Sequence, residues 1–202
     1  SHRRVRRMGY REAVRRLTIN YLLEDTVLFG GVKVVLRQAD LLARLGHRVR
    51  VVTPGVEPSW HRLSADLVRV EAFRRDLVPP ADLTVATYWT TIEPALELDT
   101  AETVHYCQGL EGIYTPNRAQ HDLLPAAYGH PIPALTVAPH LADLLRERFG
   151  RPARVVTQPL EGFFRPLPWW RRPRRPPTRP RVLVMSPFEI DWKGVRTGLE
   201  AL

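Results

Sequence analysis

Cys107 is the only cysteine in 202 residues, so an intrachain disulfide and a multi-cysteine zinc site are both excluded. A reducing, cytoplasmic setting is the simple expectation. No uninterrupted apolar run approaches the roughly 20 residues needed to span a bilayer. The Arg-rich opening has no apolar stretch behind it that would read as a secretory signal. The sequence also lacks G-x-G-x-x-G, a P-loop with its Lys-Ser/Thr, H-E-x-x-H and G-x-S-x-G. Those absences disfavour dinucleotide or ATP binding, a zincin centre and a nucleophile elbow. Internal repeats are absent as well, which argues against a solenoid.

Acidic residues are missing from one stretch in particular. Residues 165–181 hold seven arginines and no acid, and residues 3–16 carry a net +6, so these two segments account for more than the whole formal charge of +9. The rest of the chain is slightly acidic. A nucleic-acid-binding domain more usually carries its basic patch on the folded body, so no nucleic-acid partner is expected. Solvated arginines in flexible segments fit this layout, and so does peripheral attraction to an anionic membrane or an anionic lipid-linked acceptor.

With 44% hydrophobic residues the chain has material for a globular core, and its apolar residues are arranged in alternating short and long patterns. Leu17–Leu23 reads as a strand. From Val32 the apolar positions Val32, Val35, Leu36, Ala39, Leu42 and Ala43 recur at helical spacing until Gly46. Val49–Thr53 is a β-rich run ended by Pro54-Gly55, and Leu67–Phe73 is a weaker strand. Leu83–Thr87 is a further strand, and Thr90-Thr91-Ile92-Glu93 has the pattern of a capping box that opens a helix to about Leu98. Thr103–Cys107, Leu135–Ala138 and Val155–Thr157 complete about seven strands. Asn117 is a candidate cap for a helix that Pro125 disturbs. Pro139 opens a helix with Leu141, Leu144, Leu145 and Phe149 on one face and Gly150 at its end.

Helices lying between short buried strands predict an α/β protein, a Rossmann-like doubly wound parallel sheet. The expected organisation is a basic arm over 1–16, the Rossmann-like domain over 17–165, a Pro/Arg-rich linker over 166–180, and at 181–202 the first β-α unit of a truncated second domain. Trp169-Trp170 in the linker is expected to pack against the body.

In an open parallel sheet, ligands bind beyond the carboxyl ends of the strands. Gly30-Gly31 lies in the loop after the first strand, where bare backbone and a helix amino terminus suit a phosphate or a sugar hydroxyl. A tight turn with no ligand would use the same residues. His105, Gln108 and Glu111 cluster at another strand end, where imidazole, carboxamide and carboxylate can hold sugar hydroxyls, and His105 can act as a base near neutral pH. Spacing alone favours a core histidine and a helix-capping glutamate over that functional reading. Tyr88-Trp89 offers aromatic faces that either stack on a sugar or pack an interface. Cys107 reads as a buried strand residue.

Residues 30–54, from Gly30-Gly31 through Leu45-Gly46-His47 to Val51-Val52-Thr53-Pro54, resemble the opening of glycosyltransferase family four. Leu135–Gly150 resembles that family's "Val-Ser-x-x-x-x-x-x-Leu-x-x-x-Phe-Gly" segment, with Ala138 in place of serine. Val155–Pro166 resembles the strand that leads to its interdomain linker. His105–Tyr114 is nearest a branch with "Tyr-x-x-Gln-x-x-Glu-x-x-Tyr/Phe" that includes rhamnosyltransferases of bacterial surface glycans. Lys193–Ala201 approximates "Lys-Gly-x-x-x-Leu-x-Ala" with one extra residue. The ordered series, covering nearly everything after residue 16, carries the likeness.

That resemblance implies the N-terminal half of a GT-B fold and a retaining glycosyltransferase. Such an enzyme moves a sugar from a nucleotide-diphosphate-sugar to a glycan or lipid-linked acceptor, with no metal required. It implies a catalytic His105, Gly30 and Gly31 beside donor phosphates and acceptor, Gln108 and Glu111 on the acceptor side, and Lys193 neutralising the diphosphate. This half alone is expected to be inactive. Two departures stand out: Ser186-Pro187-Phe188 replaces the family's Gly-Arg, and Gln158-Pro159-Leu160-Glu161 replaces "Asn-Gly-Val-Asp". The alternatives are a non-catalytic acceptor- or nucleotide-binding module and, last, a nucleic-acid-binding protein.

Overall fold

The computed structural model describes residues 15–111, 115–158, 164–166, 168–171, 182–184 and 193–201. Most of the basic arm, much of the linker, and the segments at 159–163 and 185–192 lie outside the described residues. So do the family departures at Ser186-Pro187-Phe188 and Pro159-Leu160-Glu161.

The body is an α/β domain around one seven-stranded sheet, in the order β3-β2-β1-β4-β5-β6-β7. Its strands are β1 (Thr18–Leu22), β2 (Arg48–Thr53), β3 (Asp66–Arg69), β4 (Ala81–Ala86), β5 (Thr100–Cys107), β6 (Ala134–Thr136) and β7 (Ala153–Val155). All six pairings are parallel. Because the chain winds outward from β1 in one direction and from β4 in the other, the order reverses between these two strands. This is the Rossmann-like doubly wound arrangement expected from the alternation of patterns, and the reversal leaves a crevice at the carboxyl ends of β1 and β4.

Side-chain alternation along the strands sorts the core into two layers. Ile19, Tyr21, Val49, Val51, Val85, Val104 and Tyr106 face α1 (Gly30–Arg44), which buries Val35, Leu36 and Ala39 against them. Leu22, Val52, Ala86, Cys107 and Ala134 face the other way, toward α2 (Ile92–Glu97), α3 (Leu124–Gly129) and α4 (Pro139–Phe149). Gly150 caps α4 at φ +63°, a left-handed position that glycine reaches without steric cost.

Several local expectations need correction. The first helix starts at Gly30, two residues before the apolar stripe begins, so both glycines belong to its first turn. Thr91, not Thr90, caps the turn that precedes α2. Its Oγ accepts from the Thr87 and Tyr88 amides at 3.0 and 3.1 Å and donates to the Tyr88 carbonyl at 2.7 Å. Pro125 opens α3 instead of disturbing it, because in a first turn its missing N–H costs nothing. Trp169 and Trp170 do not pack on the body: they are 78% and 67% exposed and stack edge-to-face on each other at 5.8 Å. Residues 182–184 form no strand, while α5 (Val195–Glu200) occupies the helical stretch expected there.

One buried charge on α1 fixes the β2–β3 connection. Asp40 is 3% exposed and accepts from His61 Nε2 at 2.8 Å and from the Ser64 and Ala65 amides at 2.6 and 3.2 Å. Asp40→Asn keeps the shape but turns a donor toward the imidazole. A loss of about 1.5 kcal/mol in unfolding free energy is expected by urea denaturation, and an unchanged midpoint would show the latch to be dispensable.

Candidate functional site

The carboxyl edge of the sheet gathers three segments on the crevice between β1 and β4. The first is the β1–α1 connection, tied down by Thr26 Oγ donating to the Val56 carbonyl at 2.5 Å and Trp60 Nε1 donating to the Thr26 carbonyl at 2.9 Å. It delivers Gly30-Gly31 as the first turn of α1, behind Phe29, whose side chain makes no capping hydrogen bond. Phe29 thus gives the amides of that turn no side-chain cap, and the helix dipole adds positive potential there. A Cβ on Gly30 would meet nothing within 4 Å, which leaves this terminus open to approach from outside.

The second segment follows β4. Thr87 Oγ donates to the Leu22 carbonyl at 2.6 Å and so clasps the two strands at the point of reversal. Thr90 Oγ donates to the Glu24 carboxylate across the crevice. Trp89, read from the sequence either as a stacking face or as packing, is 7% exposed and part of the core.

The third segment is the turn after β5, with Gln108, Gly109, Leu110 and Glu111. Gln108 Nε2 donates to the Gly31 carbonyl at 3.3 Å. A Cβ on Gly31 would stand 3.2 Å from that same nitrogen, so glycine is what permits the approach. Beside Gln108 an open cavity of about 370 Å³ runs along α4, bordered by Gly109, Leu110, Val137, His140, Leu141 and Leu144.

Glu111 is 3% exposed, and its carboxylate accepts from the Tyr128 hydroxyl. Burial pushes its pKa from 4.5 up to about 8, and the charge of Glu24 adds to the rise. Near neutrality Glu111 is therefore mainly a neutral acid with an O–H to donate. Burial also pushes the Cys107 thiol up to about 12, with Glu111 adding to the effect, so it is no thiolate nucleophile.

His105 lies elsewhere. It sits within β5, paired with Ala86 and Ala134, and is 0% exposed. Its Nδ1 faces Arg151 Nη1 at 3.4 Å, and its ring meets Tyr128 edge-to-face at 5.5 Å. Burial first, and the Arg151 cation second, hold its pKa down at about 3. The imidazole is thus neutral and sealed in the core, away from the crevice that Gln108 borders. Lys193 is exposed just before α5, and no hydrogen bond or ion pair among the described residues joins it to the three segments.

The structure thus brings Gly30, Gly31, Gln108 and Glu111 together and leaves His105 and Lys193 outside the group. Glu24, Thr90 and Tyr128 join the site without having been singled out from the sequence. Glu24 and Thr90 stand on loops that the strand-end rule selects, whereas Tyr128 carried no signal. Among the described residues no cluster of three or more His, Cys, Asp or Glu side chains converges in a form that would hold a metal ion. No helix among them is long and apolar enough to cross a membrane.

No family model matches the chain, and no curated protein matches it.

Proposed function

We propose that this chain is the acceptor-side half of a retaining glycosyltransferase of the GT-B type, taking sugar from a nucleotide-diphosphate-sugar and working in the cytoplasm. The observation that carries the reading is the Gln108–Gly31 contact. It joins an uncapped helix terminus to the β5 turn bearing a buried acid, at the reversal point of a parallel sheet. The sequence resemblance supports it independently.

In this reading the first turn of α1 offers N–H groups to an anionic or hydroxylated group, and Gln108 orients an acceptor hydroxyl by directional hydrogen bonds. Glu111, through its hydrogen bond with Tyr128, holds the turn that carries Gln108. Lys193 would neutralise the departing diphosphate in a second half-site. Catalysis would then rest on orientation and on stabilisation of leaving-group charge, with no metal required. The acceptor is a glycan or a lipid-linked saccharide, one portion of it lying in the cavity beside Gln108.

The test is a comparison of this chain with a version extended beyond Leu202, each incubated with nucleotide sugars and glycan acceptors while NMR follows diphosphate release and anomeric configuration. The extended protein is expected to turn over with retention and the shorter chain not at all. Gln108→Ala in the extended protein is expected to lower kcat/KM by about 10–100-fold. Acceptor binding by calorimetry without turnover in the extended protein would make this a binding module instead. Nucleic-acid binding that weakens steeply with salt and needs residues 1–16 would overturn the reading altogether.

A further inference from the structure

We propose that Tyr128 is a positioning residue whose hydroxyl reverses its hydrogen bond as Glu111 gains or loses a proton, tying the turn at 109–111 to the state of that carboxyl. The proposal rests on the reading of Glu111 as a site residue.

Tyr128 stands on α3, 1% exposed, with its hydroxyl within reach of two acceptors: the Glu111 carboxylate and the Gly109 carbonyl, the latter at 3.3 Å. A phenol has one hydrogen to donate, so the two bonds cannot both be donations. When Glu111 is ionised, the hydroxyl hydrogen goes to the carboxylate, and the Gly109 carbonyl keeps the Cys107 thiol at 3.3 Å as its donor. When Glu111 takes up a proton from solvent, its own O–H donates to the Tyr128 oxygen, and the phenolic hydrogen rotates to Gly109. No proton leaves the tyrosine, and only the hydroxyl rotor turns. The ring itself is held by His105 at 5.5 Å and by Phe149 at 5.5 Å, and the Tyr128 backbone carbonyl accepts from Arg151 at 3.3 Å.

The turn so gripped is the one that places Gln108 on the Gly31 carbonyl. The protonation state of a buried acid is thereby felt at the first turn of α1. Among the described residues the carboxyl meets Tyr128 from α3, Cys107 from β5, Glu24 from the β1–α1 connection and a backbone hydrogen bond at Glu111 itself. Arg151 faces Cys107 and Tyr128, and His105 faces Arg151 and the tyrosine ring.

The test uses the full chain with ¹³C-carboxyl-labelled glutamate, the Glu111 signal being identified by its loss in Glu111→Gln. In Tyr128→Phe, which keeps the ring and its packing, the ionised carboxylate loses a donor. Its titration midpoint is expected to rise by about one pH unit. In the wild-type protein the Leu110 amide, which shares a peptide with the Gly109 carbonyl, is expected to shift with the Glu111 midpoint. In both Tyr128→Phe and Glu111→Gln that signal should stop following it. A tyrosine with only a packing role leaves the midpoint and the Leu110 titration unmoved in Tyr128→Phe, and that result overturns the proposal. Should Tyr128→Phe fail to fold, a Leu110 amide that still titrates in Glu111→Gln overturns it alone. Neither readout needs sugar transfer, so an extended protein without turnover would sink the transferase reading and leave the switch standing.

Discussion

Arg151→Ala is expected to cost about 4 kcal/mol of unfolding free energy, measured by urea denaturation at neutral pH. Arg151 is 1% exposed and has no carboxylate partner among the described residues. Its Nε donates to the Ile132 carbonyl at 2.9 Å and its Nη1 to the Tyr128 carbonyl at 3.3 Å, with His105 Nδ1 at 3.4 Å from the same nitrogen. Its Nη2 is buried with no hydrogen-bond partner among the described residues. Truncation would strand two carbonyl oxygens in the core and leave a cavity the length of the side chain, and both effects destabilise. Arg151→Met separates them, because it fills most of the space while removing an unpaired charge. If burying that charge is itself expensive, methionine should lose clearly less than alanine. An alanine variant within about 1 kcal/mol of wild type would mean that the guanidinium returns nothing for its desolvation.

Arg151 also marks the limit of what could be read from the sequence. The parallel sheet and its seven strands were legible because apolar residues recur with periods that depend on nothing beyond the local chain. Arg151 and Asp40 were not legible, because an arginine after a helix and an aspartate on one look like surface residues until three-dimensional contacts bury them. Gly31 drew attention as one of two glycines at a helix start. What stands over its Cα is Gln108, 77 positions away, on which a Cβ would press at 3.2 Å, and no local pattern could supply that. His105 is the reverse case: spacing alone favoured a core histidine, and the imidazole does lie within β5, paired on both sides and buried, while its catalytic role came only from the family resemblance. Glu111 was chosen by type and spacing, and its partner Tyr128 lies in a stretch where a proline masked a short helix.

The pH dependence of stability should bear the mark of both buried groups, and Glu111→Gln isolates one of them. With its pKa raised to about 8, Glu111 in the folded protein holds a proton that the unfolded chain releases above pH 4.5. Its contribution is therefore complete below that pH and fades as the pH climbs through 8, by up to about 1.4 kcal/mol per unit. His105 acts in the other direction. The unfolded chain takes up a proton below 6.5 that the folded imidazole refuses until about 3, so its contribution is lost on acidification across that window. Between 4.5 and 6.5 the two slopes oppose and nearly cancel. Glutamine removes the Glu111 limb alone, so between pH 5 and pH 8 the variant should gain about 3 kcal/mol on the wild-type protein in chemical denaturation. Wild-type stability that climbs relative to the variant over that range would mean an ionised Glu111 at neutral pH. An ionised carboxylate has no O–H to give to the Tyr128 oxygen, and the phenolic hydrogen would then stay turned to Glu111 and away from the Gly109 carbonyl at neutral pH.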